Sequence, residues 1–181
     1  MGTISYADYV HADAATREAW DAQVLKAGSV SNMKKTLLHN LPTYRAYQEW
    51  YPVAEEAEAI VGKRGVILFC HAISTANECL LCSTYFRKDL KDLGEDPDAL
   101  ALSDQDQLLV DFGRAAALQA AQFPLNLLER LKAVYNEREL TVLTGFAGLM
   151  IATNIFNSIL RVDVDDHLLK FRPWVPEESH G

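Results

Sequence analysis

The chain has 181 residues, with 17 Lys and Arg against 25 Asp and Glu, for a net charge of −8. That balance, with no basic cluster denser than Lys34-Lys35 or Arg87-Lys88, argues against a nucleic-acid partner. Hydrophobic residues at 49% and charged residues at 23% exclude wholesale disorder. A chain of this length can bury about 70% of its unfolded surface in one core.

Helix signals recur from end to end, strand signals are weak, and an all-α fold is expected. Asp13 caps a first helix running to about Lys26, with Gly28 as its stop. Ser31 or Asn32 starts a short second helix ending near His39-Asn40. Pro42 suits the first turn of a third, which carries the stripe Tyr44, Tyr47, Trp50 and Tyr51. Pro52 should interrupt it, with a resumption as far as Gly62. A mostly apolar helix follows from Lys63 to Ile73, then a break at Ser74-Thr75-Ala76-Asn77. The next helix is read from Glu78 to Leu93, ended by Gly94. Ser103 with Asp106 opens another, to about Gln122. Pro124 opens the following one, to about Tyr135. Asn136 with Glu139 caps the last long helix, to about Arg161, whose apolar residues lie all round and place it at the centre. The domain reading is an N-terminal segment with a helix over 1–30, a helical domain over 31–170 and an extended tail over 171–181.

The longest apolar run, Thr141 to Leu160, contains Asn154 and Asn157 and reads as a buried helix, so no membrane partner is expected. Met1 to Val10 lacks the basic-then-apolar order of a signal peptide, and three cysteines are no disulfide scaffold. A reducing cytoplasm is the expected compartment.

The motif above background is Cys79-Leu80-Leu81-Cys82. Two sulfurs three residues apart share a helix face and can close a disulfide ring or share a ligand. Placed in a first helical turn, they meet unpaired backbone N–H groups that favour a thiolate. Two buried, inert cysteines are the bland alternative. A metal site from Cys70, His71, Cys79 and Cys82 is awkward, because neighbours on one helix point about 100° apart, and no metal is assigned. Glu78, four residues before Cys82, and Tyr85, three after it, are candidates for proton transfer, although Tyr85 reads first as a core aromatic. His71 reaches the pair only if its helix folds back on the next. His11, His39, His167 and His180 have no partnered pattern, and no phosphate-binding or other cofactor motif is present.

The sequence resembles the alkylhydroperoxidase AhpD-like, or carboxymuconolactone decarboxylase-like, superfamily over about residues 30 to 170. Asn32 to Leu37 with Leu41-Pro42 looks like its N-terminal helices, and Lys63 to Leu68 followed by Asn77 to Cys82 looks like its central motif region. Leu93 to Asp96, Asn136 to Leu140 and Ala152 to Asn157 fit the helices that follow. The resemblance implies an all-α bundle that assembles into homo-oligomers. It also implies a dithiol peroxidase that reduces an organic hydroperoxide and is itself reduced by a partner dithiol, with no cofactor. Carried over, Cys82 is the attacking thiol and Cys79 the resolving one. The family's Glu-x11-Cys-x2-Cys-x3-His pattern meets Ile67 and Phe86 at its acid and histidine positions, so both relay residues are absent. His71, one turn after Ile67, with Glu78 or Tyr85, is expected to substitute. The competing expectation is a catalytically weak or inactive oligomeric binding protein or redox sensor on the same fold.

Overall fold

The computed structural model describes residues 2–173, and among these there are eight α-helices, two short 3-10 segments and no strand. The tail expected to be extended lies mostly outside the described residues. Local chemistry sets most of the helix ends. The Asp13 carboxylate accepts the Thr16 amide at 2.7 Å to start α1 (Ala14–Ala27), and Gly28 ends it at φ 74°. Ser31 caps α2 (Asn32–Leu37), and Asn40 caps α3 (Leu41–Gln48). The interruption expected at Pro52 comes at Glu49 instead. Pro52 lies in the first turn of α4 (Trp50–Ala76), where its missing N–H costs no helical hydrogen bond. Gly62 breaks α4 as the sequence suggests, with φ 73° and ψ 163°.

α5 spans Leu80–Asp92, and α6 (Asp104–Gln119) opens on the Ser103–Asp106 capping box. A 3-10 turn, Ala120–Gln122, leads to α7 (Leu125–Val134). A second capping box, Asn136–Glu139, opens α8 (Glu137–Ile159). A 3-10 segment at Asp166–Phe171 follows.

The second half of α4 is the hub, packed by α5, α6 and α8. Phe69 on α4 meets Phe112 of α6 at a ring-centroid distance of 5.2 Å and Phe146 of α8 at 6.3 Å. Helix α6 can approach this closely because Gly113 faces the Phe69 carbonyl, which a Cβ at that position would meet at 3.0 Å. α4 and α8 are long and apolar enough to cross a membrane by composition, yet here they pack against each other. The expectation that α8 is enclosed all round needs correction. Leu143, Phe146 and Met150 are buried, but Ile155 and Ile159 are 52% and 70% exposed.

The N-terminal segment is tied down. The Gly2 amide and the Tyr6 hydroxyl each donate to Asp163 at 2.9 Å. A second, smaller core of Val30, Leu37, Leu38 and Tyr44, against which Ala7, Ala19 and Trp20 pack, joins the main one through Met33 and Phe156.

Candidate active site

The CxxC pair sits at the corner between α4 and α5. The α4 helix ends at Asn77, whose N–H donates to the Ile73 carbonyl at 2.9 Å. Glu78 then takes a left-handed conformation at φ 53°, and the Cys79 amide donates back to the Ser74 carbonyl at 3.0 Å. This corrects the expected helix start at Glu78. Cys79 is the N-cap of α5 rather than a first-turn residue, and Glu78 lies outside the helix. Glu78 is exposed and shares no helical face with Cys82.

As N-cap, Cys79 turns its sulfur toward the α5 N-terminus and accepts the Cys82 amide at 3.4 Å. A sulfur here does the work of the usual Ser or Asp oxygen, and its thiolate would meet the positive end of the helix. The Cys79 pKa is lowered, first by a hydrogen bond from the Cys82 side chain and then by the backbone amides and the Ser158 hydroxyl, against the opposing effect of burial. The Cys82 thiol is pushed well above its ordinary value because it donates to Cys79 and because it is buried. The two thiols are therefore unequal: the Cys82 side chain and the first amides of α5 all point at the Cys79 sulfur. All three cysteines are free thiols. Cys70 is fully buried on α4, and burial raises its thiol well above the ordinary range.

The two sulfurs differ in what they face. Cys79 is 1% exposed and sealed behind the cap. Cys82, at 5%, lines a cavity of about 410 Å³. The cavity's walls are chiefly apolar and aromatic, with Tyr47, Trp50, Tyr51, Tyr85 and Phe86 among them. Phe86 therefore occupies the wall where the resembled family has its histidine, and it removes a titratable group from the site. Ile67, at the family's acid position, is a 5% exposed core residue.

On the far side of Cys82 stands Asn157 of α8. Its Nδ2 donates to the Cys82 sulfur at 3.2 Å and touches the Met33 sulfur at 3.5 Å. Asn157 is only 3% exposed, and its Oδ1 has no hydrogen-bond partner among the described residues. An amide N–H aimed at a thiol stabilises the thiolate over the thiol. Accordingly, the hydrogen bond from Asn157 lowers the Cys82 pKa, against the raising effects of Cys79 and of burial.

His71 is placed elsewhere. Burial and the nearby Arg87 guanidinium hold its pKa down at about 4, with Asp98 opposing them. Arg87 itself is clamped by Asp98 at 2.7 and 2.6 Å and by the Phe171 carbonyl at 3.1 Å. Among the described residues neither His71 nor Glu78 hydrogen-bonds a cysteine sulfur. No three His, Cys, Asp or Glu side chains among the described residues converge in a way that could hold a metal ion.

The sequence singles out both sulfurs and Phe86, whereas Asn157, the residue that hydrogen-bonds Cys82, reads there only as a polar break in an apolar run. His167, set aside for lack of a partner, also lines the cavity. A signal for Asn157 was present. Two carboxamides on an otherwise apolar helix must each find buried partners. Asn154 is met by the Ser74 hydroxyl at 3.3 Å, and Asn157 by Cys82.

The arrangement of helices has close counterparts. An uncharacterized peroxidase-related protein from Silicibacter sp. TM1040 superposes with a TM-score of 0.70 at 18% identity, covering 89% of this chain and 92% of its own. A second, from Ralstonia eutropha JMP134, described as an alkylhydroperoxidase AhpD core, gives 0.72 at 16% identity, covering 92% and 94%. The chain has the AhpD-like fold. Neither a protein-family model nor a curated protein matches it. At such identities the likeness to AhpD-like structures concerns the path of the backbone; the chemistry has to be argued from the cysteines and their surroundings.

Proposed function

We propose that this AhpD-like protein is a dithiol peroxidase that reduces organic hydroperoxides at Cys82 with Cys79 as the resolving thiol. The observation that carries the reading is the asymmetry of the pair. One sulfur opens on an apolar cavity and receives an amide N–H, and the other is held at a helix N-terminus as the more acidic partner. An apolar cavity suits an organic hydroperoxide, and the fold is shared with peroxidase-related proteins.

The dithiol itself replaces much of the missing relay. In the resting pair the Cys79 thiolate accepts the Cys82 proton, and complete transfer leaves Cys82 as the nucleophile. The Cys82 thiolate attacks the terminal oxygen of the hydroperoxide. The O–O bond breaks, the sulfur is oxidised to a sulfenic acid, and the alkoxide takes the proton from Cys79 to leave as an alcohol. The Cys79 thiolate then displaces hydroxide from the sulfenic sulfur and forms the disulfide. A dithiol reductant returns the pair to its starting state by exchange. Homo-oligomerisation belongs to the same reading, supported by the exposed Ile155 and Ile159 on α8.

The test is intact-mass and thiol counting after one equivalent of cumene hydroperoxide, with Cys79→Ser and Cys82→Ser alongside. A loss of about two mass units with a mapped Cys79–Cys82 bridge, and sulfenic acid trapped in Cys79→Ser alone, is the expected result. Three unreacted thiols after hours would end the peroxidase reading. A single oxidation that a dithiol cannot reverse would favour the redox sensor.

A further inference from the structure

We propose that the cavity at Cys82 takes a hydroperoxide whose apolar body carries a carboxylate, and that Lys34 holds the carboxylate. The substrate class rests on the peroxidase reading above; the anion seat does not. The starting point is an ammonium group set among cavity-lining residues. Lys34 Nζ donates to Gln23 Oε1 at 2.9 Å and stands 4.9 Å from the centre of the Tyr51 ring. Lys34, Gln23 and Tyr51 all line the cavity on which Cys82 opens. Gln23 is 3% exposed, and its Oε1 also receives the Tyr44 hydroxyl at 3.4 Å. The aromatic stripe of α3 and α4 thus supports the ammonium as well as the apolar wall.

A second cation crowds the same ring. Lys26 Nζ lies 4.3 Å from the centre of Tyr51. The chain carries a net charge of −8, and Lys88, Lys91 and Lys132 each pair with a carboxylate. Among the described residues Lys26 and Lys34 do not. The ring face attracts both cations but has no net charge to cancel theirs, and the two repel each other. Lys34 also has three N–H donors, of which Gln23 takes one. An anion supplies both the missing charge and a further acceptor. The single ammonium on the wall suits a singly charged carboxylate, and the apolar and aromatic remainder suits a hydrocarbon body. The cavity's own carboxylate, Asp165, accepts the Asn32 amide at 2.8 Å. Gln23 and Lys34 come from α1 and α2 and Cys82 from α5, so the two ends of such a substrate are seated by different elements. The carboxylate takes no part in the electron transfer: it keeps its charge while the O–O bond breaks at Cys82.

The experiment follows iodoacetamide alkylation of Cys82 by mass on the reduced protein, with sodium decanoate or decan-1-ol as an occupant of the cavity. Each variant is compared with itself without additive, so a change in thiol acidity cancels. In the parent, decanoate should protect Cys82 at about a tenth of the decan-1-ol concentration, the value of one charge-assisted hydrogen bond. Lys34→Met keeps an apolar stem without the ammonium and should abolish that preference, and Lys34→Arg should keep it. Equal protection by the two additives in the parent overturns the proposal, as does an undiminished preference in Lys34→Met. Should that variant fail to fold, Lys34→Gln takes its place with the same two outcomes. Linoleic acid hydroperoxide should likewise oxidise parental Cys82 faster than its methyl ester does, and equal rates overturn the substrate class. A Cys82 that neither hydroperoxide oxidises ends the peroxidase reading and the substrate class with it, whereas the decanoate preference decides the anion seat on its own.

Discussion

Asn157 Nδ2 stands 3.2 Å from the Cys82 sulfur and joins the last turns of α8 to the first turn of α5. The contact bridges 75 residues of sequence and gives the pocket-facing thiol a polar neighbour in a cavity whose walls are chiefly apolar and aromatic. It is the only hydrogen bond to that sulfur from outside the CxxC motif among the described residues.

Phe86 offers a direct way to change that setting. It is 5% exposed and lies one helical turn after Cys82, on the cavity wall. Phe86→His would place an imidazole where the resembled family carries one. A base within reach of the Cys82 proton should raise the rate of iodoacetamide alkylation at pH 7 by about tenfold, the low side of general-base effects. An unchanged or slower rate would show that the imidazole cannot reach the sulfur from this position.

His71 makes a prediction about stability. Burial first, and the Arg87 charge second, lower its pKa in the folded chain from 6.5 to about 4. Between these two values the unfolded chain binds a proton that the folded chain refuses. Stability therefore rises with pH through this window and is lost as the pH falls through it. The full effect is on the order of 3 kcal/mol by pH 4. Urea unfolding of the parent and His71→Gln at pH 7, 5.5 and 4.5 isolates it, because the acidic groups are common to both. The variant should lose less stability on acidification. Parallel pH profiles would mean that His71 is not held neutral.

The helix pattern was legible because short-range chemistry writes it. Ser103–Asp106 and Asn136–Glu139 are capping boxes in sequence and in structure, and Gly28 and Gly94 end their helices in the left-handed region. The CxxC motif is local too, so both sulfurs could be named at once. What escaped was long-range or conformational. No local signal says that Glu78, a non-glycine residue, adopts φ 53° and so starts α5 two residues late. Nothing near Cys82 announces Asn157, and nothing near His71 announces that Arg87 and Asp98 will face it. Those relations come from how α4, α5 and α8 pack.

Gly113 tests that packing. A Cβ there would meet the Phe69 carbonyl at 3.0 Å, Ile73 Cγ1 at 3.1 Å and Phe69 Cδ2 at 3.2 Å. The first of these atoms is backbone inside α4, which cannot swing aside. Gly113→Ala should therefore force α6 away from α4 and cost about 1–3 kcal/mol, despite alanine's better helix propensity. Chemical denaturation of the two proteins measures the difference. A more stable variant would show that the helices are free to adjust.

The exposed side of α8 leads to the last prediction. Ile155 and Ile159 lie four residues apart on one helical face and are 52% and 70% exposed. Leu80, at the start of α5 next to the cysteine cap, is 44% exposed. The same helix buries Leu143, Phe146 and Met150 in the core, so its apolar surface exceeds what one chain covers. A second copy is the partner the proposed assembly supplies, and sedimentation should give a multiple of the 20.2 kDa chain mass. The double variant Ile155→Lys, Ile159→Lys places two ammonium groups on that face and should shift the population to monomer with helicity unchanged. The two positions flank Asn157 and Ser158 on α8, so dissociation should also loosen the setting of both sulfurs and change the rate of Cys82 alkylation. A parent that sediments as a monomer would exclude the assembly. Unaltered self-association of the double variant would place the interface on another face.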